Sequence, residues 1–136
     1  MMRIGFFEKF KGADTILIHG TQDELRVFAG LLESLAQPGA TAVHLDTLSF
    51  VDARLETRVE LCAVMNGRSV RRRDDEATGN SFVISQPAQH WLDDAELVQN
   101  VADWGDAHNW ICDVGSLAVM VSCGEFYDEE WWKRHG

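Results

Sequence analysis

The stretch "TQDELRVFAGLLESLAQPG", Thr21 to Gly39, constrains the fold most. Thr21 and Glu24 stand at capping-box spacing, where hydroxyl and carboxylate each satisfy a backbone N–H at a helix start. Leu25, Phe28, Ala29, Leu32, Leu35 and Ala36 then recur in steps of three and four, which draws one apolar stripe along a helix. Pro38-Gly39 ends it. A helix with one apolar stripe must lie on another layer, and the flanking sequence offers strands for that layer.

A second helix is expected in "WLDDAELVQNVADWG". Asp93 and Glu96 repeat the capping spacing, and Leu92 can staple onto Leu97. Leu97, Val98, Val101 and Trp104 form the expected inward stripe, with Gly105 as the C-terminal stop. Around the two helices lie "TILIHG", "TAVHLDT", "TRVELCAVM", "SFVISQ", "HNWICDV" and "LAVMVSC", all with strand character. Each half therefore reads strand, helix, strand, strand. Asn66-Gly67 in "VMNGRSV" signals a tight hairpin, and "DDEATGN" an exposed loop. The expected fold is α+β in a single domain, residues 1–136: a largely antiparallel sheet with two helices on one face, built from tandem strand-helix-strand-strand halves. The second sheet face is small and semi-apolar in "LAVMVSC", which suits either a half-covered sheet or a homodimer surface.

Charge narrows the function classes. The net charge is −10, and the residues from Trp91 onward hold ten acidic and two basic residues, so that stretch carries −8 of it. Such a chain repels nucleic acid and anionic membranes and attracts basic partners. The basic knot Arg71-Arg72-Arg73 reads as charge protection on an edge strand. The opening "MMRIGFFEKFKG" has no signal-peptide pattern, and no apolar run reaches the ~20 residues of a membrane span. Three cysteines inside apolar runs argue against a disulfide framework, so a reduced cytoplasmic protein is expected.

Chemical motifs are sparse. His108 and Cys112 on one strand would lie about 13 Å apart, whereas zinc ligands sit about 2.0–2.3 Å from a shared ion. No metal and no cofactor is expected. Cys62 and Cys112 read as inert small hydrophobes. Cys123 stands at a strand end, but neighbouring Glu125 would raise its pKa, against nucleophilic use. His44 and Asp46 share a strand face and can form a base–orienter pair. No Gly-rich phosphate loop is present.

The tail "EFYDEEWWKRHG" interleaves large aromatics with acids. Trp131 or Phe126 is expected to pack on the core. Tyr127, Asp128, Glu129, Glu130 and Trp132 are the candidate partner-binding residues, as aromatic anchors ringed by charge.

The pattern "IHG…DELRVFAGLLESLA…HLDTL…VELCAV", from about Ile16 to Val64, resembles small acidic bacterial immunity proteins of polymorphic toxin systems. The resemblance implies a non-enzymatic protein that neutralises a cognate toxin, often a cationic nuclease, by stoichiometric binding. It carries no binding residues over, because the matched part is core pattern. An acidic binding protein with a basic protein partner is the leading expectation. The alternatives are a small cytoplasmic enzyme using His44/Asp46 or Cys123, and a structural homodimer.

Overall fold

A computed structural model describes residues 1–136 apart from 41, 74–79, 116, 125, 126 and 136, and apart from the side chains of 113 and 114. The described residues form nine strands and three helices, an α+β fold. In chain order these are β1 (Met2–Phe10), β2 (Ala13–His19), α1 (Gln22–Ser34), β3 (Val43–His44), β4 (Val51–Ala53), β5 (Thr57–Ala63), β6 (Ser69–Arg72), β7 (Asn80–Gln86), α2 (Ala88–Trp104), β8 (Ala107–Val114), β9 (Leu117–Cys123) and α3 (Glu129–His135).

The expected capping box closes α1: Thr21 Oγ1 accepts from the Glu24 N–H at 3.2 Å, and Glu24 Oε1 accepts from the Thr21 N–H at 2.9 Å. Leu25, Phe28, Ala29 and Leu32 are buried, as the stripe requires. The second helix starts five residues before the expected cap. Pro87, with φ −63°, precedes Ala88, and a proline gives up no needed N–H at a helix start. Asp93 is thus inside the helix, where it accepts from Gln89 at 3.0 Å. The earlier start adds Trp91 to the buried line through Asp94, Ala95, Val98, Val101 and Ala102; Trp104 lies off that line, against the expected inward stripe, and is 78% exposed. Gly105 stops the helix as expected, in the left-handed region at φ +84°.

The strands form two mixed sheets in place of the single, largely antiparallel one expected: β4-β1-β2-β9-β8 and β3-β5-β7-β6. Hairpins give the antiparallel pairs β1–β2 and β8–β9. Parallel pairs occupy the centre of each sheet, β2 with β9 and β5 with β7. The Asn66-Gly67 turn does not fold β6 back on β5; β6 pairs with β7 instead. "DDEATGN" falls almost wholly outside the described residues.

The tandem order has a topological consequence. Helix α1 carries the chain from β2 in the first sheet to β3 in the second, which it leaves briefly for β4 before returning at β5, and α2 carries it from β7 in the second to β8 and then β9 in the first. Each half contributes strands to both sheets, with the same pairing scheme repeated. The inward faces meet α1 and α2 in one core that includes Ile16, Ile18, Val119 and Val121 from the first sheet and Val59, Leu61, Phe82 and Ile84 from the second. The sheets touch directly at Phe6 and Phe82, ring centroids 4.9 Å apart.

Candidate functional site

The tail forms α3, a short helix missed in the sequence because the interleaved pattern reads equally as a strand end. Asp128 Oδ1 accepts from the Trp131 N–H at 3.0 Å and caps it. The helix lies over the outer face of the first sheet. There Leu17, Met120, Tyr127 and Trp132 make a second apolar cluster, with Phe7, Phe10 and Trp131 packed on it. Of the candidate partner-binding residues, Tyr127 and Trp132 are therefore buried packing residues, and Trp131 is the half-exposed ring. Trp131 packs on this cluster as expected, Phe126 lies outside the described residues, and the expectation of Tyr127 and Trp132 as contact rings is not met because both are buried. Asp128, Glu129 and Glu130 are exposed. Glu129 pairs with Arg3 of β1, which also reaches Asp52 at 3.7 Å.

Acids distant in sequence come together at the end of the molecule where α1 begins, α2 ends and α3 begins. Arg26 bridges Asp23 at 3.3 Å and Asp103 at 3.4 Å. The Gln22 amide donates to the Ala102 carbonyl at 2.8 Å, holding the start of α1 against the end of α2. A Cβ built on Gly124 would lie 2.9 Å from Asp106 Oδ1, so the end of β9 abuts the turn after α2. A cleft of about 350 Å³ opens between α1 and α3, with Glu24, Asp128 and Glu129 among its walls. Burial pushes the Glu24 carboxyl up, but the Thr21 N–H and the Met1 ammonium, 3.0 Å away, together hold it below its ordinary value. Exposed Trp104 stands beside Asp103 on this end. The sequence showed the acids but not their meeting, which depends on the crossing of the two halves.

The His44/Asp46 pair of the alternative, enzyme reading does not assemble. Asp46 Oδ1 accepts from the Val59 N–H at 3.2 Å, and the carboxylate that reaches His44 is that of Glu60, 3.7 Å from Nδ1. Arg73 shares the same Glu60 at 3.2 Å. These groups line an open polar hollow on the outer face of the second sheet together with Arg58 and Ser81. Cys123 is buried, and burial, then Asp106, push its thiol up, away from thiolate chemistry.

Another polar group went unread in the sequence. Asp94 is 5% exposed; it accepts from Gln86 Nε2 at 2.7 Å and from the Cys112 N–H at 3.3 Å. Gln86 Oε1 accepts from Arg68 Nε and Nη2 at 3.0 and 2.9 Å. Burial raises the Asp94 carboxyl above its ordinary value, although these hydrogen bonds oppose it. Cys112 is buried at φ +50° within the irregular part of the β8–β9 pairing, and burial and Asp94 push its thiol well up. With each member bonded, the group has the features of a structural network.

Among the described residues, no three His, Cys, Asp or Glu side chains gather as metal ligands. Also among them, no helix is long and apolar enough to cross a membrane. Comparison of the chain with protein-family models, with curated proteins and with solved structures gave no match.

Proposed function

We propose that this chain is a non-enzymatic, cytoplasmic binding protein that engages a basic protein partner stoichiometrically, in the manner of an immunity protein facing a cationic toxin. The observation that carries the reading is the gathering of five acids, Asp23, Glu24, Asp103, Asp128 and Glu129, against three cations, the Met1 ammonium, Arg3 and Arg26, on the end of the molecule that also presents Trp104. Separated carboxylates on one surface steer a cationic partner and raise its association rate. An exposed tryptophan among them supplies the kind of side chain that dominates binding energy once buried. Glu130 extends the acidic rim. Tyr127 and Trp132 act from beneath it, by fixing α3 against the sheet.

The enzyme reading has less support. Its nucleophile candidate Cys123 is buried with a raised pKa, and its proposed base–orienter pair is divided between two different partners. Co-expression with the products of neighbouring genes tests the binding reading. A one-to-one complex with a basic protein, weakened by salt, is the expected outcome. Turnover of a small-molecule substrate, abolished by His44→Ala, would refute it.

A further inference from the structure

Neither half of the chain completes a sheet alone. In residues 1–63 the free edge of β2 is closed by β9 of the other half, from Asp14↔Leu117 to His19↔Ser122. The free edge of β5 is closed by β7, from Thr57↔Asn80 to Ala63↔Gln86. A half standing alone would leave two central strand edges unpaired, the condition under which strands recruit another chain. The covalent connection between the halves is short. Residues 64–68 step past the end of β7 to reach β6, with Gly67 at φ +79°. The last of them, Arg68, is clasped by Gln86, and through Gln86 by buried Asp94.

We propose that a second copy of this chain is a partner the fold accepts: two chains exchange halves about residues 64–67, the short connection that steps past the end of β7. In the exchanged dimer the first half of each chain meets the second half of the other. The β2–β9 and β5–β7 pairings, the α1–α2 packing and the shared core are all remade. The two states then differ in the conformation of 64–67 and in the entropy of joining two chains, which is how exchange of identical elements yields dimers at low cost. The Arg68–Gln86 clasp lies within the second half, so it is present in both states. The inference is independent of the basic-partner reading.

The test introduces Asp14→Cys and Leu117→Cys, a directly paired position of β2 and β9, in a Cys62→Ser background. The protein is refolded at low and high concentration, oxidised, sized with light scattering and run on a denaturing gel without reductant. The cross-link is within one chain in the monomer and between chains in an exchanged dimer. The expected result is a dimer fraction that grows with refolding concentration and survives denaturation as a covalent dimer. Arg68→Ala, which removes a clasp made within one half, should leave that fraction unchanged. Deleting Asn66 and Gly67, which shortens the step past β7, should raise it. A dimer that falls to monomers on the gel would mean surface association and would overturn the proposal. So would a monomer at every concentration in all of these variants.

Discussion

The indole of Trp132 lies directly on the backbone of Gly5: a Cβ built there would meet the ring at 3.1 Å and the Phe7 ring at the same distance. Trp132 is fully buried and has little room to withdraw. Gly5 is thus the seat that allows α3 to cover β1. Gly5→Ala should destabilise the fold by about 1–3 kcal/mol, the usual range for overpacking. Trp132→Ala should cost about 3–5 kcal/mol by leaving a cavity. Thermal or urea unfolding measures both. Trp132→Ala should leave partner affinity of the folded fraction unchanged, which separates a packing residue from a contact residue.

Trp104 should behave in the opposite way. Its side chain is largely in water, so Trp104→Ala should change stability by no more than about 0.5 kcal/mol. Partner affinity should fall by about 1–3 kcal/mol if the ring anchors the interface, chiefly through faster dissociation. Urea melts and surface-bound dissociation rates on one preparation check the two halves of this expectation.

Asp94 should leave a signature in the pH dependence of stability. Its carboxyl is raised in the folded state, so folding favours the protonated form. The associated stabilisation is fully present below the unfolded value, about 3.9, and is lost as pH rises through the higher folded value. Asp94→Asn removes that titration. The stability of the native protein relative to the Asn variant should therefore decline as pH rises from about 4 through that window. Urea midpoints of both proteins at a series of pH values give the curve; a difference that rises with pH would contradict it.

The thiols should differ in reactivity. Cys112 and Cys123 are buried and pushed toward the protonated form, whereas Cys62 is half-buried on the outer face of the second sheet. A thiol reagent added to the native protein should label Cys62 first, and the other two on the time scale of unfolding. Mass spectrometry of digests locates the label.

The start and stripe of helix α1 were legible because they lie within one short window, whereas the helix ends at Ser34, ahead of the expected Pro38-Gly39 stop. The end of α2 at Gly105 was legible as well. The start of α2 was misread because Asp93 and Glu96 mimic a cap, while Pro87 set the boundary earlier. Trp104 was misplaced for a separate reason: the buried line through Val98, Val101 and Ala102 passes it by. The sheet arrangement was less accessible. Parallel pairing of β2 with β9 joins residues about a hundred positions apart, and no local pattern in either strand names its partner. The Asn66-Gly67 hairpin signal misled: the chain only bends there, Gly67 but not Asn66 takes a positive φ, and tertiary pairing places β7 between β5 and β6. The acidity of the tail was legible in the sequence, yet the approach of its acids to Glu24 follows from the topology. His44 and Asp46 share a strand in the sequence and part company in the fold because each finds a nearer partner on β5.

The most direct measurement is the association rate of the native chain with its co-purified basic partner, followed across ionic strength. The same series is run on the variant with Asp128→Asn, Glu129→Gln and Glu130→Gln. The native protein should associate fast at low salt and slow steeply as salt rises, because the acidic end steers encounter. The triple variant should associate more slowly, with a flatter salt response, while its melting temperature stays close to native apart from the loss of the Arg3–Glu129 pair. If the triple variant kept the native on-rate and the native salt slope, the acidic end would not be the surface that meets the partner.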